Sequence, residues 1–265
     1  MISIKILDNI PFIWVLVSLL VLVLISGEFG FILGRRTRTR LSDSKSIRIG
    51  PTVTATLALL GFMFALTFSS VVGNMDERKQ LVLEEANAIG TAYLRADLLN
   101  AQDRDQIKKQ LYEYLILRIE IVQNYENARV PEVLLASENL QHQLWQTAVE
   151  SAGNNPTSVE SLFLQSVNEV IDLHQMRIAV NYYHRMPNIL WVSLLGLTIL
   201  AMVVGGYDAG LTGGKRSATV ILSFSLAFSL ILALIVVLDR PGNLISTVTQ
   251  NALIDAQSQI ERTLK

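Results

Sequence analysis

The sequence predicts an all-α integral membrane protein, with four transmembrane helices in two pairs and a long helical extramembrane insert between helices 2 and 3. Three observations predict it. Four apolar runs, residues 12–33, 51–73, 188–206 and 218–238, each come close to the roughly 20 residues that a helix needs to cross a hydrocarbon core of about 30 Å. Charged residues make up 17% of the chain, and nearly all of them lie outside those runs. Between Met75 and Met186 apolar positions recur at a helical period, as in Ile107, Leu111, Tyr114, Leu115, Ile121, Val122 and Tyr125. On this reading residues 1–73 hold the first pair, 74–187 the insert, 188–238 the second pair and 239–265 an amphipathic C-terminal helix. All are parts of one interrupted domain.

The first run, with Trp14 as an interfacial anchor, continues through Phe29, Phe31, Ile32 and Leu33 into an arginine cluster. It has no small-residue cleavage site, so a retained helix is expected rather than a signal peptide. Glu28 is its one acid, and two readings fit: an interfacial ion pair, or a gate or ion site. The link that follows carries Arg35, Arg36, Arg38, Arg40, Lys45 and Arg48 against Asp43 alone. Short basic loops stay in the cytoplasm, which places residues 34–50 there. Lys215 and Arg216 against Asp208, between the last two runs, point the same way. Residues 74–187 are then extracytoplasmic, and between Asn74 and Pro187 ten Lys and Arg stand against sixteen Asp and Glu. The cell membrane, here a bacterial inner membrane, is the expected location, and the lipid bilayer the first partner.

In the second run an advance of 100° per residue puts Thr52, Thr56, Leu59, Met63, Thr67, Ser70 and Asn74 within an arc of roughly 80°. These are the pore-lining candidates, with Leu59 and Met63 as a hydrophobic constriction in an otherwise polar wall. Ordinary packing fits equally well, since Ser and Thr hydroxyls commonly bond to helix carbonyls in membranes. Phe62, Phe64 and Phe68 lie away from this stripe and read as packing. The third helix starts after Pro187 and is expected to end at Gly205 and Gly206. The segment GGYDAGLTGGK, residues 205–215, reads as a flexible turn, because its spacing to Lys215 does not fit a phosphate loop. The fourth helix carries Ser223, Ser225 and Ser229 and stops at Asp239, Arg240, Pro241 and Gly242. Beyond it Leu244, Val248, Ala252, Leu253, Ile260 and Leu264 form a loose helical stripe.

Within the insert, breaks are expected near Asn100–Asp103, at Pro131 and across residues 153–156, giving four helical segments. The first follows the second run without a Gly or Pro after Gly73, so one helix is expected to leave the membrane unbroken. Glu84, Asn87, Thr91 and Arg95 share a stripe, and Arg118, Asp172, His174 and Arg177 lie in later segments. Buried carboxylates and guanidinium groups must be paired. Glu84, Arg95, Arg118, Asp172, His174 and Arg177 are therefore candidates for an ion-pair network, read first as structural and second as a ligand site.

Several kinds of chemistry are missing. The chain has no cysteine, so neither a disulfide framework nor a zinc-thiolate site can form. There is no nucleophile elbow, HExxH or paired Glu-x-x-His motif. Glu138 and His142 stand four apart, which alone is a weak metal signal. No enzyme, cofactor, metal or nucleic-acid partner is expected.

Residues 76–99, DERKQLVLEEANAIGTAYLRADLL, and residues 238–242, LDRPG, resemble the bestrophin-like family of bacterial membrane proteins, and the layout of the whole chain is similar. The resemblance implies a homo-oligomer, pentameric by analogy with bestrophin anion channels, that conducts small ions along its second helix. The position of the bestrophin calcium clasp reads LDRPGNLISTV, without an acidic cluster, so calcium gating is not implied. A non-conducting scaffold or sensor subunit that binds a partner protein through the insert is the other reading.

Overall fold

The computed structural model describes residues 10–40, 49–123, 130–154, 156–182, 185–213, 218–240 and 248–263. Among them the α-helices are α1 Phe12–Arg40, α2 Gly50–Arg95, α3 Ala101–Gln123, α4 Val130–Asn154, α5 Ser158–Tyr182, α6 Asn188–Thr212, α7 Ala218–Asp239 and α8 Asn251–Thr263, with a 3-10 turn Ala96–Leu98 after α2. Asp43, Lys45, Arg48, Tyr125, Asn155, His184, Lys215, Arg216, Pro241, Gly242, Leu244 and Leu264 lie outside the described residues, as do the side chains of Ile121 and Val122. The helices α1, α2, α6 and α7 are long and apolar enough to cross a membrane. That is the organisation of a multi-pass membrane protein. The chain forms two compact units, residues 1–73 with 185–245 and residues 74–184 with 246–265, and α2 runs unbroken through the boundary between them.

In the first unit, α1 packs chiefly along α6 and next on α7. The first span's main packing partner is therefore the third span, not its neighbour in sequence. Glycines make this crossing. A Cβ on Gly30 or Gly34 would strike the carbonyls of Val203 and Tyr207, and one on Gly206 or Gly210 would strike those of Gly27 and Phe31. Lipid tails are as apolar as side chains, so close backbone approach, not apolar burial, is what holds such helices together.

The glycines also correct the expected end of the third span. Gly205 and Gly206 do not stop α6, because Gly206 and Gly210 serve the crossing, and the helix runs on to Thr212. The stop comes at Gly213, whose φ of 66° is the left-handed conformation that closes many helices. Most of residues 205–215 is thus helix where a flexible turn was expected. Elsewhere in this unit Leu60, Phe64, Leu194, Leu232 and Ile235 form a buried cluster, and the Phe64 and Phe228 ring centroids lie 5.7 Å apart. Asp239 and Arg240 work as a clasp. Asp239 accepts the Met186 N–H at 2.9 Å and Arg240 donates to the Ile10 carbonyl at 2.8 Å, with both side chains buried.

The second unit is built on a larger apolar core, in which Ile89, Ile107, Leu111, Leu115, Phe163, Val167 and Val170 are buried together. Local signals set its helix starts. The Asn100 side chain accepts the Asp103 N–H at 3.0 Å and opens α3. The Thr157 hydroxyl accepts the Val159 N–H at 3.2 Å, an N-cap that opens α5, and donates to the Glu160 carboxylate. Pro131, where a boundary between helical segments was expected, occupies the first turn of α4, where its missing N–H costs nothing. The C-terminal helix α8 buries Leu253 and Ile260 in this core.

Candidate functional site

Two features carry candidate chemistry, and each lies within one unit. The first is the membrane segment of α2. The hydroxyl stripe there is divided by packing. Thr67 is buried within the chain, with its hydroxyl on the Met63 carbonyl at 2.6 Å, while Met63 is half-buried against the apolar cluster. The half-buried Thr56 gives its hydroxyl to the Thr52 carbonyl, and Asn74 is also half-buried with partners of its own. Thr52, Leu59 and Ser70 are exposed. The seven residues therefore do not share one open wall. The open face is turned toward Ala58, Phe62, Ala65 and Ser69, where Phe62 is 60% exposed. Phe64, 100° per residue further round, is the aromatic that packs.

The second feature is a buried polar network in the other unit, centred on Glu85. Its carboxylate accepts the Tyr114 hydroxyl at 2.6 Å and Arg118 Nε at 2.9 Å on one oxygen, and Arg177 on the other. Arg177 also donates to the Gln250 side chain at 3.2 Å. The Tyr114 oxygen, having donated its proton to Glu85, accepts Gln141 Nε2 at 3.2 Å and lies 3.1 Å from His174 Nδ1. His174 must then carry its proton on Nδ1. Its Nε2 is a buried lone pair without a hydrogen-bond partner among the described residues. The network draws residues from α2, α3, α4 and α5 and from the entry to α8.

The electrostatics follow from burial and charge. Burial alone would raise the Glu85 carboxyl, but the Arg177 and Arg118 guanidinium groups, helped by the Tyr114 hydroxyl, hold it at about 2. Burial first, and then Arg118, hold the His174 imidazole down at about 4. Burial and the Glu85 charge push the Tyr114 phenol well above its ordinary range. At neutral pH two guanidinium charges face one carboxylate, with the imidazole and phenol neutral. Each Glu85 oxygen is occupied by charged or phenolic donors, which fits a lock between helices better than a general base.

Of the six residues expected in such a network, Arg118, His174 and Arg177 meet here. Glu84, Arg95 and Asp172 do not: Glu84 accepts Gln80, Arg95 donates to the Leu162 carbonyl and Asp172 accepts Asn168. Glu85, Tyr114, Gln141 and Gln250 are the members that the sequence reading missed. A signal for Glu85 was present, since it is the acid on the same helix stripe as Val82, Ile89, Ala92 and Ala96. His142 meets Gln146 at 3.2 Å. Among the described residues no group of three or more His, Cys, Asp or Glu is placed to hold a metal.

A family model described as the bestrophin-like domain matches residues 19–242. The chain belongs to the bestrophin-like family. The match takes in Glu85, Tyr114, Arg118, His174 and Arg177 and the Asp239–Arg240 clasp, but ends before α8. No curated protein and no solved structure matches the chain. The family is associated with channels rather than enzymes.

Proposed function

We propose that this bestrophin-like chain is a homo-oligomeric channel for small ions, anions being the class that the resemblance implies, with α2 along the conduction path. In this reading the spans form two sequence pairs around an extramembrane insert, residues 34–50 are cytoplasmic and residues 74–187 extracytoplasmic in a bacterial inner membrane. The observation that carries it is the open face of α2. Ala58, Ala65 and Ser69 are small, Phe62 is bulky, and all four are exposed on one membrane-crossing helix. Copies arranged about an axis would leave a lumen at the small residues and a hydrophobic constriction at Phe62. Thr52, Leu59 and Ser70 stand at the edge of that face, whereas Thr67 is spent on packing.

Planar-bilayer recording from the purified oligomer tests this reading. Unitary currents are expected, with a larger conductance in Phe62→Ala and an unchanged one in Thr67→Ala. An intact oligomer that passes no current under any salt gradient would rule conduction out.

A second reading, a scaffold or sensor subunit that binds a partner protein, is favoured by a different observation. On the insert side of α2 and the turn after it, Leu94 is 66% and Leu98 61% exposed, and in this reading a partner protein covers them. Copies whose axis is filled by side chains, with these leucines covered by a different protein, would favour it.

A further inference from the structure

The helix α1 does not end where its apolar run ends. The run 12–33 spans about 33 Å at 1.5 Å per residue, enough for the hydrocarbon core, and the helix then continues to Arg40. With the run 12–33 set in the core, Arg35 and Arg36 stand in the first turn beyond it, at the depth of lipid phosphates. Both are exposed, and neither makes a side-chain hydrogen bond or ion pair among the described residues. Below them Val21, Ile25, Phe29 and Ile32 are exposed and fall with Arg36 and Thr39 on one arc of roughly 80°. An open hollow of about 370 Å³ is lined by Glu28, Phe31, Ile32, Arg35, Arg36 and Thr39. Glu28, the one acid on that side, is half-buried, lies seven residues below Arg35, and has partners of its own.

We propose that this end of α1 is a seat for an anionic phospholipid, its phosphate held by Arg35 and Arg36 and an acyl chain lying along Ile25, Phe29 and Ile32. The stripe joins two chemistries that few other ligands combine. Guanidinium groups recognise phosphate oxygens in pairs. The apolar length beneath them faces the bilayer, where a lipid tail fits and a soluble anion finds nothing. The proposal holds whether or not the protein conducts.

Native mass spectrometry of the full-length protein, released from micelles carrying either phosphatidylglycerol or phosphatidylcholine, tests it. The expected result is preferential retention of phosphatidylglycerol, weakened roughly thirtyfold in Arg35→Gln/Arg36→Gln, since each basic residue near the surface contributes about fivefold. The charge-preserving Arg35→Lys/Arg36→Lys variant should keep part of the preference, since lysine supplies the charge but not the paired bonds, and Arg262→Gln, on α8, should not alter it. Equal retention of the two lipids by the unmodified protein would overturn the proposal whatever the variants do. So would unchanged binding in the Gln variant, an equal loss in Arg262→Gln, or full displacement by inorganic phosphate, which would indicate a site for free anions. A density map with the stripe covered by a second copy would also overturn it.

Discussion

The two units hold their helices together in opposite ways. In the first, α1 and α6 approach until backbones touch at Gly30, Gly34, Gly206 and Gly210, and large apolar side chains such as Phe29 and Val192 point outward. In the second, large side chains such as Tyr114, Phe163 and Leu115 are buried together, and a charged network sits among them. The proposed placement of the first unit in lipid and the second in water accounts for the contrast. Water rewards apolar burial, whereas lipid does not distinguish a leucine from its own tails, so contact area and close fit must serve instead. The charged network depends on the same dry core that makes it hazardous, because any member left unpaired there is uncompensated.

The sharpest break in this comparison is Glu85→Ala. Two buried guanidinium groups would lose their carboxylate, and breaking one side of such a pairing costs about 3–5 kcal/mol. Loss of cooperative unfolding in the second unit, followed by circular dichroism with hydrogen exchange, is the expected outcome. A change confined to a few tenths of a kcal/mol would mean that the network contributes little.

Acid sharpens the same point. The imidazole of His174 titrates near 6.5 when unfolded and about 4 when folded, and Glu85 near 4.5 and about 2. For both groups the unfolded chain binds more protons, so stability is full above pH 6.5 and declines as the pH falls. The decline begins in the histidine window and continues in the carboxylate window. His174→Asn should flatten the slope between pH 6.5 and 4 and leave the lower one, as read from denaturant midpoints across pH. An unchanged upper slope would mean that another group titrates there.

In the first unit the corresponding break is Gly30→Ala. A single methyl would meet the Val203 backbone, which cannot swing aside, and overpacking of this kind costs about 1–3 kcal/mol. Gly61→Ala, with open space at its Cβ, is the control, and should be neutral or stabilising by up to about 1 kcal/mol from helix propensity. Unfolding titrations in detergent would separate the two. The smallest expected effect is Asn100→Ala, which removes the cap of α3 at a cost of about 1 kcal/mol, measurable as a lowered midpoint.

Parts of the site were legible in the chain and parts were not, for identifiable reasons. Arg118, His174 and Arg177 could be named because guanidinium and imidazole groups in apolar helix segments demand partners. Glu85 and Glu84 are adjacent acids, and choosing between them requires knowing which way a 100° step points. The stripe from Thr52 to Asn74 had the same ambiguity. Its period is visible in sequence, but whether its neighbour is lipid, another copy or α7 is not.

By itself the sequence determined where helices run and which can cross a membrane, because length, hydropathy and period are properties of a single strand of residues. It also determined that charge gathers in the insert and in the link after α1. Only the tertiary structure decided that Gly205 and Gly206 belong inside a helix, that Thr67 is consumed by packing while Phe62 stays open, and that Glu85 is the acid enclosed by two arginines. Those are questions of azimuth and neighbour. A helix carries its pattern locally, but the direction in which each face looks is set by the packing of segments far apart in the chain.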